Sequence, residues 1–105
     1  KPRRFTEIML PALRLDNIFD YVICGDDLSS KKPDPAMVEK VLCVSKIIPA
    51  SACLVGDSRA DLGAARQSGV ASILVSFGYS GDLNVHNAGA DLVIDHLSDV
   101  LLYDA

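Results

Sequence analysis

A chain of 105 residues, half of them apolar, with 6% aromatics and no tryptophan, has the size and composition of one small aliphatic domain, not of a disordered tail or a disulfide-dense scaffold. The formal net charge of −4 and pI near 4.9 provide no positive field to gather a phosphodiester backbone, so nucleic acid is not an expected partner. No apolar run approaches a membrane span and no charged-then-apolar leader opens the chain; Cys24, Cys43 and Cys53 lack metal-ligand spacing and read as reduced core thiols, so the expectation is a cytoplasmic protein with no membrane contact.

In chain order, Arg3 and Arg4 read as a solvated helix start, and residues 5–13 as a helix with Pro11 near its end. The apolar run 21–24 reads as a first strand, followed by the loop Gly25-Asp26-Asp27 and the stretch Ser29-Ser30-Lys31-Lys32-Pro33-Asp34-Pro35. Asp34 can cap a helix that Pro35 starts and that ends near Ile47, with Val38, Val41, Leu42 and Ser45 on one face. Residues 52–55 form a second strand, and Ser58 can cap the next helix with Asp61 three residues on. Gly69 is placed to stop that helix in the left-handed conformation, while Gly63, Ala64 and Ala65 keep it slim against a sheet. Strands at 71–75 and 92–94 and a short closing helix at 97–102 complete the series. Short runs apolar on both faces, separated by helix-length segments, predict parallel strands with crossover helices: an α/β domain.

The carboxyl ends of parallel strands form one rim, where loops and helix N-termini converge on ligands, and Asp57 stands on it. One residue past the buried run Leu54-Val55, its carboxylate is close to the low-dielectric core yet open to water. Mg²⁺ suits such a place, since it takes one or two carboxylates together with waters and a phosphate oxygen. The amides at Ser58 and its successors would attract an anion. A plainer reading makes Asp57 a turn residue and Asp61 the acidic partner of a capping box.

Lys32 begins on the same rim, in a loop stiffened by Pro33 and Pro35. An ammonium 4 Å from a phosphoryl charge is worth about 4 kcal/mol at an effective dielectric of about 20. A helix dipole supplies about 0.3–2 kcal/mol, so lysine and metal outrank the helix terminus. His86 and His96 have no nucleophile or ligand partner at readable spacing and read as surface or capping residues. The loop Gly78-Tyr79-Ser80-Gly81 lies on the functional rim and reads equally as a substrate-side loop or a plain glycine turn.

Gly25-Asp26-Asp27, then Lys32-Pro33-Asp34-Pro35, then Gly56-Asp57-Ser58-Arg59-Ala60-Asp61, with Gly78-Tyr79 after the next strand, resemble the haloacid dehalogenase superfamily of phosphohydrolases, most closely its phosphoglycolate phosphatases. The likeness runs from Lys1 to about Leu102. It implies a three-layer, Rossmann-like parallel sheet. It also implies that Lys32 steadies the nucleophile and the phosphoryl oxygens, that Asp57 is an Mg²⁺ ligand, and that Asp61 supports the lysine or a metal-bound water. Lys1 looks like the last residue of a Thr-Asn-Lys motif. The implied reaction is in-line attack of an aspartate on a phosphate monoester, 2-phosphoglycolate being the favoured substrate, through an aspartyl-phosphate that water hydrolyses.

The family's nucleophile lies in an Asp-x-Asp motif after its first strand, and no such motif follows an apolar strand here: Asp34 sits in the proline loop, Asp82 in a glycine loop, and Asp95 has no acidic partner two residues away. The helical cap is absent as well. Residues 1–105 are therefore expected to be the carboxyl-terminal part of a phosphatase core, inactive alone, whose incomplete sheet needs its amino-terminal part or another chain. The rival readings are a phospho-acceptor (receiver-like) signalling domain and a non-catalytic binding fragment. A receiver places its lysine-proline after the acceptor aspartate, whereas Lys32 precedes Asp57.

Overall fold

In a computed structural model that describes residues 1–78, 81 and 83–103, the chain forms helix α1 (Arg3–Ala12), helix α2 (Ala36–Ser45), strand β1 (Cys53–Gly56), helix α3 (Arg59–Ser68), strand β2 (Ala71–Val75) and strand β3 (Leu92–Ile94). Short 3-10 helices lie at Pro49–Ser51, Val85–Asn87 and Leu97–Tyr103. The three strands form a parallel sheet in the order β1-β2-β3, with Val55 beside Ile73 and Ile73 beside Leu92.

Strand β2 is central, and its alternation divides the core. Leu74 points to the α3 face, where it packs with Leu62 and Val85; Ile73 and Val75 point the other way, to Ile94 and Val100. The sheet is thus covered by α3 on one side and by the closing 3-10 helix on the other, a thin version of the expected three layers. The ends of the β2–β3 ladder are tied by side chains: Ser72 N–H donates to Asp91 Oδ2 at 2.8 Å and Ser76 Oγ to Asp95 Oδ1 at 2.7 Å.

Helix α3 follows its sequence signals. Ser58 Oγ accepts from Asp61 N–H while Asp61 Oδ2 accepts from Ser58 N–H, a reciprocal capping box, and Gly69 stops the helix with φ of 80°. Ala64 and Ala65 are fully buried against the sheet. Gly63 has a different task from the expected one: a Cβ there would lie 2.6 Å from Pro33 Cβ, so the missing side chain admits the proline loop. At α2, Asp34 Oδ1 accepts from Ala36 N–H at 2.9 Å and Lys46 ends the helix in the left-handed conformation.

Two expectations are corrected. Residues 21–24 are not a sheet strand: among the described residues no strand pairs with them, while Val22 O accepts from the Arg3 side chain and Cys24 N–H donates to the Asp27 carboxylate. Among the described residues β1 pairs only with β2, so one edge of β1 stays open. The second correction concerns the cysteines. Cys24 is buried, but Cys53 on β1 and Cys43 on the outer side of α2 are exposed free thiols, because apolar runs bury a residue only where another layer covers it. Val55, on the same strand, is 41% exposed. Among the described residues no helix is long and apolar enough to cross a membrane.

Candidate active site

Lys32 and Asp61, 29 residues apart in sequence, meet at 2.5 Å between Nζ and Oδ1. Asp61 is 5% exposed and its second oxygen is fully engaged: Oδ2 accepts from Asp57 N–H at 3.0 Å, Ser58 N–H at 3.1 Å and Ser58 Oγ at 2.9 Å. Burial pushes the Asp61 carboxyl up, but the Lys32 hydrogen bond, the Asp57 amide and Ser58 together outweigh it and hold the group below the usual carboxylate range. Asp61 is therefore an ionised anchor that fixes Lys32 with one oxygen and the start of α3 with the other.

Three local devices make that junction possible. A Cβ on Gly56 would lie 2.3 Å from Asp61 Cγ, so only glycine lets the carboxylate cross the end of β1. Pro33 seats on Gly63, and Gln67 Nε2 donates to Pro33 O at 2.8 Å, which holds the loop next to Lys32 on α3. The Lys32–Pro33 peptide is cis.

Asp57 opens into a cleft of about 370 Å³ whose lining includes Lys32, Asp61, Gly78, Phe77, Val55 and Leu97. Gly78 lies directly over it: a Cβ there would be 2.4 Å from Asp57 Cβ and 2.6 Å from Oδ2. Lysine, buried carboxylate and rim carboxylate thus share one cavity. The amide and hydroxyl of Ser58, the residue whose amide was expected to attract a phosphate anion, both donate to Asp61. Gly78 belongs to the site, while Tyr79, Ser80 and Asp82 lie outside the described residues. His86 and His96 do not line the cleft; their backbone amides are taken by Asn84 and Asp99.

Among the described residues no group of three or more His, Cys, Asp or Glu is placed to hold a metal. Asp57 offers a single hard carboxylate at the mouth of the cleft, a donor set that fits Mg²⁺, which takes one or two carboxylates and completes its shell with waters and phosphate. It does not fit a closed structural site of the zinc type.

Sequence reasoning missed the role of Arg3. Expected to be solvated, it forms a two-pronged pair with Asp27, Nε to Oδ1 at 2.9 Å and an Nη to Oδ2 at 2.5 Å. A contact across 24 residues between a helix start and a loop has no periodic signature in the sequence.

Known proteins resemble this chain in sequence and in fold. The chain is 39% identical over 101 residues to phosphoglycolate phosphatase 1 of Pseudomonas aeruginosa, covering 96% of this chain and 37% of that protein. It is 37% identical over 101 residues to a phosphoglycolate phosphatase of Pseudomonas putida, with the same coverage of 96% and 37%. Among solved structures, a predicted phosphoglycolate phosphatase from Haemophilus somnus superposes with a TM-score of 0.92 at 27% identity, over 98% of this chain and 46% of that one. The chain therefore spans well under half the length of these relatives, and its sheet is a partial core of their fold. The family model for haloacid dehalogenase-like hydrolases matches residues 1–75. With that match across most of its length and the Lys32–Asp61–Asp57 cleft in place, the chain belongs to the haloacid dehalogenase-like hydrolase family.

Proposed function

We propose that residues 1–105 are the carboxyl-terminal portion of the core of an Mg²⁺-dependent phosphate-monoester hydrolase, with 2-phosphoglycolate the favoured substrate. The observation that carries this reading is the Lys32–Asp61 bond beside Asp57 in a single cleft. The phosphoglycolate phosphatases among its relatives support the substrate class.

Each residue has a distinct part. Lys32 brings a positive charge to the phosphoryl oxygens, held in place by a carboxylate that stays ionised. Asp61 orients that ammonium and fixes the amides that open α3. Ser58 braces Asp61, and its bonds favour this supporting role over direct phosphate contact. Among the described residues Asp57 is the carboxylate placed to hold Mg²⁺, and the ion when bound would supply charge neutralisation to the transferring phosphoryl group. The nucleophilic aspartate, the site of the aspartyl-phosphate, comes from sequence outside these residues, as do the strands that cover the open edge of β1. The segment alone is therefore inactive.

Release of phosphate from 2-phosphoglycolate by the full-length protein tests this reading. Turnover that requires Mg²⁺ and is lost in Asp57→Asn supports it. No turnover on phosphoglycolate, sugar phosphates or pyrophosphate overturns it, and a stable acyl phosphate on Asp57 after incubation with acetyl phosphate would point to signalling instead.

A further inference from the structure

The chain start and the loop before Lys32 are joined by a continuous set of bonds that the proposed reaction does not use. Arg3 N–H donates to Asp26 Oδ1 at 2.9 Å, its guanidinium grips both oxygens of Asp27, and an Nη also donates to Val22 O at 3.1 Å. Asp27 Oδ2 accepts in addition from Cys24 N–H at 2.8 Å, and Gly25 N–H donates to Lys1 O at 2.8 Å. A Cβ on Gly25 would approach Lys1 N to 3.0 Å, so the two backbones are already in contact. Glu7, one turn along α1, faces Arg3 at 3.6 Å.

These bonds join the two walls of a second cleft of about 370 Å³. One wall carries Lys1 and Thr6; the other carries Gly25, Lys31 and Lys32. The far end of the Lys32 loop is fixed independently by Pro33 on Gly63 and Gln67. Lys32 thus stands between two anchors, one on α3 and one on the start of α1. The second ties the residues before the Lys32 loop to Lys1 and Arg3. A planar guanidinium suits that task, because its two parallel bonds fix direction as well as distance, which a lysine ammonium does not.

We propose that Arg3 and Asp27 are positioning residues for an anion-binding cleft: their two-pronged pair sets the gap between Lys1 and Lys32, and so the affinity for a phosphoryl group held between the walls. The inference rests on the phosphatase reading for its ligand, but its test does not depend on turnover. The Arg3 hydrogen bond holds the Asp27 carboxyl down to about 2, so the pair persists through the working pH range.

The test uses the full-length protein and orthophosphate alone, with affinity measured by calorimetry and, where turnover exists, KM and kcat measured separately. Arg3→Gln and Asp27→Asn should each weaken orthophosphate binding about tenfold, as expected for a displacement well under the about 1 Å that costs on the order of 10²-fold, with KM rising in step and kcat changing little. The double variant should be no worse than either single, since both break one unit. Arg3→Lys, which keeps charge and loses the fork, should behave like Arg3→Gln, and it carries the test if the glutamine variant does not fold. Unchanged orthophosphate affinity in a folded variant, or full rescue by Arg3→Lys, overturns the proposal. A wild-type protein that binds orthophosphate in an Arg3-dependent way yet hydrolyses no monoester would refute the phosphatase reading and leave the positioning role standing.

Discussion

Replacing Gly78 with alanine should disable the proposed site through a single methyl group. The added carbon would sit 2.4 Å from Asp57 Cβ, 2.9 Å from Cγ and 2.6 Å from Oδ2, against an ordinary carbon contact of about 3.5–4.0 Å. Something must give by about 1 Å. Gly78 is not among the glycines with positive φ, so alanine meets no backbone strain there and the whole effect comes from this contact. Behind Asp57 lie the fixed Gly56–Asp61 crossing and the capping box, so the half-buried Asp57 side chain has to shift away from the new methyl group. A misplacement of about 1 Å in a positioned group costs on the order of 10²-fold in rate, or about 2.7 kcal/mol of transition-state stabilisation. The assay is kcat/KM for phosphoglycolate in the full-length protein, with an Mg²⁺ titration and a thermal melt alongside. Weaker Mg²⁺ dependence and a loss near 10²-fold at an unchanged melting temperature are expected. If Gly78→Ala stays within about twofold of wild type while Asp57→Asn is inactive, Asp57 does not act from the position described and the reasoning fails.

Lys32→Met should lower stability at pH 7 by about 1–2 kcal/mol, a figure reduced from that of a fully buried charged hydrogen bond because the Lys32 side chain is 40% exposed. The folded pKa of Asp61 is depressed, so its contribution is fully present above the unfolded carboxylate value and is lost as pH falls through the folded one. The gap between wild type and Lys32→Met in urea melts should therefore close as the medium is acidified, and a gap constant from neutral to strongly acid pH would exclude the ion pair as its source. Thiol labelling distinguishes the three cysteines: Cys24 should resist the reagent, and Cys43 on α2 should react. Cys53 should react in the 105-residue chain and be protected in the longer protein, where the proposal has further strands covering the edge of β1; equal reactivity in both would argue against that cover.

Local signals carried most of the fold. The Ser58–Asp61 capping box, the Gly69 stop and the strands at Ala71–Val75 and Leu92–Ile94 depend on residues a few positions apart, and each appears where the sequence predicts it. The run 21–24 failed because being a strand is a property of a pair: its composition is right, but among the described residues no strand lies alongside to pair with it. The cleft was legible as a set of residue types, since Lys32, Asp57 and Asp61 all fall on one rim. Which oxygen of Asp61 meets which donor was not. Nor was the part of Gly56, Gly63 and Gly78, whose missing Cβ atoms leave room for Asp61 five residues on and for Pro33 and Asp57 from distant parts of the chain. A glycine in sequence records an absence, and only the fold says what fills it.

The open edge of β1 ties assembly to chemistry. Asp57 follows the last residue of that strand, and a parallel strand hydrogen-bonded along the free edge would finish at the same rim, beside the carboxylate. Any residue at the end of such a strand is delivered to the cleft by the backbone ladder itself, with no separate device to aim it. Completing the sheet and completing the active centre would then be a single cooperative event. A protein built this way is silent until whole, and conditions that loosen its middle strands would quench turnover before the β2–β3 core begins to melt.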